Sequence, residues 1–242
     1  MSIENERINY ILKEIAKGSI GLYSPEDINI QNELKQILGL NKKKPLQYIG
    51  LIGHIGAGKD HIANYLAQTL ERKVKVVKFA TKLTEIVALF LGVTDLSLFQ
   101  GREWKDRKQF YWQGEIVSSR EVQKSVATII RDIDPDFWLN CLVRDCKDPD
   151  TLYIVSDLRF PNEMQFIQQN NGIVVFIENQ QAVDRQFEKE VKDGVHQPHT
   201  SEQLTWSIYQ GKIRTQDYYL NNSNYDNPQP LQDLVNFLTD KI

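Results

Sequence analysis

The 242-residue sequence predicts an α/β fold in which helices cover both faces of a mostly parallel, five-stranded sheet. Apolar segments of strand length alternate with segments of helical periodicity along most of the chain. Two strand segments, 151–156 and 173–177, are almost continuously apolar, which is typical of strands buried on both faces. A glycine-rich turn at 53–58 joins the first strand to the first helix, as a strand–loop–helix unit requires.

The elements follow in order along the chain. Strands are predicted at 48–52, 74–79, 151–156, 173–177 and 218–220. Helices are predicted at 60–72, 83–91, 120–131, 135–146, 162–170 and 231–238, with a further charged helix that ends at Lys192. The polar and aromatic segment 96–114 has two interpretations: residues 102–108 form either a lid that brings cations over bound phosphates or a charged surface helix.

Residues 1–46 precede this pattern and are predicted to be an N-terminal helical extension to a main domain at 47–242. Two apolar stripes of helical spacing, at 8–15 and 34–38, are separated by glycines and a Ser-Pro pair. A pair of short helices packed on the main domain is the simpler interpretation, and a partner-binding arm is the alternative.

Composition indicates a soluble enzyme, with 41% hydrophobic and 25% charged residues. A net charge of −3 and a pI near 5.9 argue against long nucleic acids as partners. Cys141 and Cys146 match neither a disulfide framework nor a metal-ligand spacing, so we expect free thiols in a reducing compartment. Without an apolar run of membrane-spanning length or a signal peptide, we expect a cytoplasmic protein with no membrane association.

The segment 53–60, GHIGAGKD, matches the phosphate-binding pattern G-x-x-x-x-G-K-[ST] except at its last position. Glycines let successive N–H groups turn inward, and Lys59 can follow the β- and γ-phosphates of a triphosphate as a compact positive charge. The following helix directs its positive dipole end at the same phosphates. The predicted residues that bind the nucleoside triphosphate are Gly53, Ile55, Gly56, Ala57, Gly58, Lys59, Asp60 and His61.

Asp157 ends the buried strand 151–156, beside the strand that leads into the phosphate loop. A carboxylate at that place can hold Mg²⁺ directly or through water, and Asp60 supplies a second oxygen ligand near the metal. An aspartate directly after a strand is also common in turns, so Asp157 alone does not indicate a metal site. The combination with Lys59 favours a metal site formed by Asp60 and Asp157.

Further motifs carry a family resemblance. The segments 157–163 (DLRFPNE) and 131–138 (RDIDPDFW), with Arg120, Gln123, 199–202 (HTSE) and 221–222 (NN), resemble phage-type deoxynucleoside monophosphate kinases in the same order. The resemblance covers roughly residues 47–240. It implies the three-layer fold of P-loop NTPases, a superfamily that includes the related phosphomevalonate kinase, and it suggests a homodimer.

That family transfers the γ-phosphoryl group of ATP to a deoxynucleoside monophosphate, so the resemblance implies ATP, Mg²⁺ and a small-molecule nucleotide substrate. Implied catalytic residues are Lys59, Arg120, Arg159 and Asp157. Implied substrate-binding residues are Lys82, Arg120, Arg131, Trp138, Asp157, Arg159 and Glu163, with Trp138 stacking on or bordering the base and Glu163 orienting the nucleotide.

Each of these residues also has a structural interpretation. Arg159 and Glu163 are spaced to pair on a helix surface. Trp138 could belong to the core, and the arginines at 120 and 131 could be solvated. His199 and Glu202 fit a structural role better than a catalytic one.

Three departures from the family pattern concern the acceptor more than ATP. His61 stands where threonine is usual, Thr84 stands where a lysine is usual with Lys82 as the nearest lysine, and Val126-Ala127 replaces a Gly-Thr pair. The alternatives are a phosphomevalonate-like or modified-base kinase of the same fold and a non-catalytic sensor that binds ATP.

Overall fold

The computed structural model describes residues 45–192, 200–214, 216–224 and 226–242. Residues 1–44 of the predicted N-terminal extension and His199 lie outside the described residues. Leu46 is buried in the main hydrophobic core just before the first strand. Within the described residues, no helix combines the length and the apolar character needed to cross a lipid bilayer.

Strands and helices are numbered here in chain order. The strands are β1 (Tyr48–Ile52), β2 (Val74–Val77), β3 (Lys108–Trp112), β4 (Glu115–Ser118), β5 (Leu152–Val155), β6 (Gly172–Glu178) and β7 (Tyr218–Asn221). The helices are α1 (Lys59–Thr69), α2 (Ala80–Phe90), α3 (Arg102–Asp106), α4 (Ser119–Ile133), α5 (Phe137–Asp145), α6 (Pro161–Gln169), α7 (Gln180–Lys192), α8 (Thr200–Tyr209) and α9 (Gln229–Thr239). A 3₁₀ helix spans Leu96–Gln100.

The predicted parallel sheet of five strands is confirmed, in the order β2-β5-β1-β6-β7. β1 lies at the centre, with β5 and β6 as its two neighbours. The chain moves from β1 to one side of the sheet and later, through β6, to the other. Ligands of open α/β sheets bind beyond the carboxyl ends of the strands where the strand order reverses, so the loop after β1 lies at the expected position.

Alternate residues of the central strands face two separate cores, because successive side chains of a strand point to opposite faces. Ile49 and Leu51 of β1 face a core closed by α1 and α9, which contribute Leu66 and Leu234. Ile52 faces a second core, closed by residues of α5, α6 and α8. Helices therefore cover both faces of the sheet, as the alternating pattern predicted.

A third, smaller core lies among α2, α4 and the 3₁₀ helix, with Val87, Phe99 and Val122 at its centre. The segment 96–114 contributes more structure to it than the sequence predicted. Residues 102–106 form the short helix α3, and β3 and β4 form an antiparallel hairpin. Gln113 and Gly114 both have positive φ at its turn, which suits a two-residue hairpin loop. Mixed polar and aromatic residues in β3 hide the alternation that normally identifies a strand.

We expect Gly53→Ala to destabilise the protein by about 1–3 kcal/mol, the usual range for overpacking a rigid site. A Cβ at Gly53 would lie closer than 3.0 Å to the backbone carbonyl oxygen of Ile177 in β6, which cannot rotate away. The measurement is the urea midpoint of unfolding at constant m-value. Gly101→Ala is the matched control, because its Cβ would make only an ordinary contact at 3.8 Å. Equal midpoints for the two variants would contradict the expectation.

Candidate active site

The glycine-rich loop joins β1 to α1 as predicted. Gly56 and Gly58 have φ of 86° and 93°, angles that side chains with a Cβ rarely adopt. Asn222, which follows β7, donates from Nδ2 to the carbonyl oxygen of Ala57 at 2.9 Å. The same Nδ2 would lie 2.7 Å from a Cβ at Gly58. The loop is thus held by the end of β7, which lies two strands away from β1 in the sheet.

Lys59 begins α1 and folds back over the loop. Its Nζ donates to the carbonyl oxygens of Gly53 at 2.6 Å and His54 at 2.9 Å. Burial, and then the nearby Arg159 guanidinium, lowers the pKa of Lys59 to about 8. A bound polyphosphate would place negative charge beside this ammonium group and favour its charged form.

Asp60, the departure from the loop pattern, is fixed by two neighbouring strands. Its Oδ1 accepts a hydrogen bond from Ser156 Oγ at 2.8 Å and pairs with Lys78 Nζ at 2.8 Å. Partial burial opposes ionisation, but the hydrogen bonds from Lys78 and Ser156 outweigh it and lower the pKa of Asp60. Asp60 is therefore an ionised carboxylate at the start of α1. Sequence analysis did not single out Lys78, which follows β2 directly.

Asp157 follows Ser156 and caps α2. Its two carboxylate oxygens accept the backbone N–H groups of Phe79 at 2.8 Å and Ala80 at 2.9 Å. Burial raises the pKa of Asp157, while these N–H groups favour the ionised form. Asp157 also lines the cavity described below, so one carboxylate both orders α2 and faces a potential ligand.

Asp60 and Asp157 are linked through Ser156 and suit a Mg²⁺ that arrives with ATP. Mg²⁺ in such sites keeps several waters and takes one or two carboxylates together with phosphate oxygens. Among the described residues, no group of three or more His, Cys, Asp or Glu side chains could hold a metal without a nucleotide. Two carboxylates fit a metal whose other ligands come from phosphates and water.

A cavity of about 560 Å³ opens beside the loop, at the carboxyl ends of β1 and β5. Ile55, 42% exposed, is the loop residue that lines it. The structure brings most of the predicted acceptor residues together on its wall: Arg120, Arg131, Trp138, Asp157, Arg159 and Glu163. Apolar lining from Phe79, Leu83 and Phe160 completes a pocket with both cationic and flat apolar surfaces.

Glu163 joins two parts of the cavity wall through hydrogen bonds. Its Oε1 accepts from Arg131 Nη2 at 2.8 Å, and its Oε2 accepts the backbone N–H groups of Arg159 at 2.9 Å and Phe160 at 3.1 Å. Arg131 lies 3.7 Å from the centre of the Phe160 ring. Burial raises the pKa of Glu163 to about 7, although Arg131 and the Arg159 N–H group oppose the shift. Glu163 thus acts as a positioning residue for Arg131.

The guanidinium of Arg159 pairs with Glu202 of α8, not with Glu163 as helical spacing suggested. The Glu202 side chain is only 5% exposed, whereas that of Arg159 is 35% exposed. One side of the guanidinium is therefore anchored and the other stays accessible. The structural role that the sequence suggested for Glu202 is to orient Arg159. Helix α8 itself was not predicted.

Trp138 and Arg120 complete the wall in different ways. Trp138 is 2% exposed, and its Nε1 donates to the carbonyl oxygen of Ala127 at 3.5 Å, so its ring borders the cavity from within the core. Arg120 pairs with Asp106 of α3. Burial lowers the pKa of Lys105 in that helix, and the charges of Arg120 and Lys78 add to the effect. Lys105 of α3 therefore lies within range of the charges of Arg120 and Lys78.

Two predicted residues, Lys82 and His61, do not line this cavity. Lys82 pairs with Glu85 at 3.0 Å and Asp145 at 3.8 Å, away from the cavity wall. His61 is exposed on the first turn of α1. Arg185 of α7, which sequence analysis did not single out, places Nη2 3.3 Å from a Cβ at Gly56. In the sequence, Arg185 is distinguished only as a positively charged residue in the helix that follows β6.

His54, inside the loop, has no solvent exposure, and neither ring nitrogen has a hydrogen-bond partner among the described residues. Its ring meets those of Trp206 and Tyr209 edge to face, with centroids 4.5 and 5.6 Å apart. Both aromatic residues belong to α8, which also carries Glu202. Burial, and then the charge of Lys59, lowers the pKa of His54 to about 4.

We expect the free energy of unfolding to fall as the pH falls from about 6.5 to 4, because unfolded His54 binds a proton that the folded protein excludes. A shift of this size corresponds to about 3 kcal/mol at most. The measurement is urea unfolding across this pH range for the wild type and His54→Phe, whose ring cannot titrate. A wild-type pH dependence no steeper than that of the variant would contradict the assignment.

No protein-family model matches the chain. Among curated proteins, it is 29% identical over 144 residues to the "Putative deoxynucleotide monophosphate kinase" of Acanthamoeba polyphaga mimivirus, which covers 54% of this chain and 72% of that protein.

Solved structures with similarity include a shikimate kinase from Acinetobacter baumannii in complex with shikimate, 20% identical, covering 82% of this chain and 97% of that one with a TM-score of 0.37. A dephospho-CoA kinase from Campylobacter jejuni is 14% identical, covers 80% and 98% of the two chains and has a TM-score of 0.41. The parallel sheet with a phosphate-binding loop after β1 is the α/β architecture that the sequence predicted. The resemblance to deoxynucleoside monophosphate kinases that the motifs predicted is confirmed by a sequence relative.

Proposed function

We propose that this protein transfers the γ-phosphoryl group of ATP to a deoxynucleoside 5′-monophosphate, giving ADP and a deoxynucleoside diphosphate. The observation that carries the proposal is the cavity beside the phosphate loop, where Arg120, Arg131 and Arg159 share a wall with Trp138. A nucleoside monophosphate combines a dianionic phosphate with a flat base, and this wall offers partners for both. The name of the mimivirus relative supports the same substrate class.

The donor and acceptor sites divide between two sets of residues. The loop N–H groups and Lys59 bind the ATP phosphates. Asp60 and Asp157 would hold the Mg²⁺ that accompanies ATP, and the metal would supply charge neutralisation for the phosphates. Arg159, near Lys59 and anchored by Glu202, occupies the boundary between the two sites. It can therefore contact the acceptor phosphate and the migrating phosphoryl group together.

Such a reaction needs no strong general base. The second pKa of a phosphate monoester is about 6, so the acceptor oxygen is already largely ionised at neutral pH. What the protein must supply is alignment of two anions and neutralisation of their charge. Fixed guanidinium groups do both, since their planar fork matches phosphate oxygens. Asp157 is engaged with the start of α2, which suits a role in charge and position more than one in proton transfer.

The test is an ADP-release assay with ATP, Mg²⁺ and a panel of acceptors: the four common dNMPs, the corresponding NMPs and phosphomevalonate. We expect turnover with at least one dNMP, and identification of its dNDP by mass. Turnover with phosphomevalonate alone would favour the kinase without a base-binding site. ATP binding without turnover of any acceptor would favour a nucleotide sensor and would overturn the proposal.

A further inference from the structure

A chain of three hydrogen-bonding groups crosses from α4 to α2 at the edge of the cavity. Gln123 Nε2 lies 3.1 Å from Thr84 Oγ1, and Thr84 Oγ1 lies 2.9 Å from the carbonyl oxygen of Ala80, one turn earlier in α2. Both side chains are half-buried. Thr84 is also the position at which the sequence departs from the lysine of the family pattern.

The direction of these bonds is fixed by chemistry. A carbonyl oxygen can only accept, so the single hydroxyl proton of Thr84 is donated to Ala80. Thr84 Oγ1 must then accept from Gln123, which requires the amide nitrogen of Gln123 to face α2. The amide oxygen of Gln123 is left as an acceptor, and no bond to it is recorded within the described part of the chain. Thr84 thus determines which end of the Gln123 amide is available.

Gln123 lies on the face of α4 that lines the cavity, between Arg120 three residues earlier and Ala127 four residues later. The Ala127 carbonyl oxygen accepts from Trp138, and Leu83 lines the cavity next to Thr84 in sequence. The neutral amide therefore stands between a guanidinium and an apolar surface. This arrangement suits a ligand whose charged end meets Arg120 and whose neutral, flat part passes Gln123.

We propose that Gln123 reads the acceptor base through its Oε1, which accepts a hydrogen bond from a base N–H group, and that Thr84 is the positioning residue that orients it. The inference rests on the proposed function. An ionised phosphate has no proton to donate and so cannot be the partner of this oxygen. Because the four bases present N–H groups at different positions of their edges, an amide of fixed direction distinguishes them.

The first experiment compares the wild type, Thr84→Val and Thr84→Ser with the four dNMPs. Valine keeps the shape of threonine but removes the hydroxyl. The Gln123 amide is then free to exchange the positions of its nitrogen and oxygen. We expect the ratio of kcat/KM between the best and worst dNMP to fall about fivefold, the effect of roughly one net hydrogen bond. The change should appear in KM for the dNMP, while KM for ATP stays constant. Thr84→Ser, which retains the hydroxyl, should restore the wild-type ratio.

The second experiment is a double-mutant cycle with Gln123→Leu, which removes the reading group. If Thr84 acts on selectivity only through Gln123, Thr84→Val should have no further effect on the ratio in the Gln123→Leu background. Separate, additive losses would overturn the proposed coupling. Melting temperatures of all variants show whether any loss comes from unfolding.

A 2′,3′-dideoxynucleoside monophosphate distinguishes a base contact from a sugar contact. The effect of Thr84→Val should be the same with this acceptor as with the dNMP of the same base. Loss of the effect would assign Gln123 to the 3′-hydroxyl and overturn the inference, as would a wild type that phosphorylates all four dNMPs equally well. A wild type that phosphorylates no dNMP would overturn the proposed function and this inference together.

Discussion

Replacing Lys59 with alanine is expected to lower kcat for phosphoryl transfer by about a hundredfold to a thousandfold, the range for loss of one preorganised charge-stabilising group. Lys59 Nζ already lies against the loop, bonded to the carbonyl oxygens of Gly53 and His54. Lys59 would therefore contact the phosphates of ATP bound in the loop without a large movement of its side chain. The measurement is ADP release at saturating ATP and dNMP. The Kd for ATP is measured separately.

Two further lysine variants complete that experiment. Lys147→Ala removes an exposed lysine far along the chain from the loop and should leave kcat unchanged. Lys59→Arg keeps the positive charge but should not restore activity, because the loop encloses a compact ammonium group and a planar guanidinium is larger. Wild-type turnover by Lys59→Ala would exclude the loop as the ATP site. Restored turnover by Lys59→Arg would show that charge alone is sufficient.

The second large effect is expected for Arg159→Ala, with kcat reduced by about a hundredfold. Arg159 has one side anchored by the buried carboxylate of Glu202 and lies near Lys59. Its removal would take positive charge from the place where the proposed reaction transfers the phosphoryl group. Arg159→Lys should recover little of the loss, since an ammonium group cannot bind phosphate and Glu202 with the same planar geometry. The measurement is kcat at saturating concentrations of both substrates.

Removal of Arg159 also leaves the Glu202 carboxylate buried without its partner, which usually costs about 3–5 kcal/mol of stability. The double variant Arg159→Ala/Glu202→Gln removes this charge and should regain much of the stability while staying inactive. Activity in the stable double variant would show that Arg159 is structural. Glu202→Gln alone keeps a hydrogen-bond acceptor for Arg159 and should lose less activity than either variant that lacks the guanidinium.

Most of the main fold could be predicted from local patterns. The five parallel strands and the helices beside them were readable because each buried strand is short and apolar, and each helix repeats its apolar residues at helical spacing. The hairpin of β3 and β4 was missed because its pairing face mixes polar and aromatic residues. Helix α8 was missed although Leu204 and Ile208 form an apolar pair one turn apart. Its first turn, at 200–202, is part of the 199–202 motif, and a motif does not indicate secondary structure.

The candidate site was less predictable than the fold. Motifs indicated Arg120, Arg131, Trp138, Asp157 and Glu163, and the structure places them on one cavity wall. They could not indicate which carboxylate serves which arginine. Helical spacing suggested that Arg159 and Glu163 form a pair, but Arg159 binds Glu202, 43 residues later. Lys82 was named for its closeness in sequence to a family lysine, and it pairs with acids outside the cavity.

The sequence by itself determined the phosphate loop, because glycine positions, the lysine and the following helix lie within a few consecutive residues and their geometry is local. It also determined which arginine, tryptophan and carboxylate side chains are available to the cavity wall. Only the tertiary structure decided how these groups are held: Asp60 by Ser156, 96 residues later, Asp157 by the start of α2, and Gln123 by Thr84. Such partners depend on strand order and helix packing, which bring distant segments into contact and leave no spacing rule in the sequence.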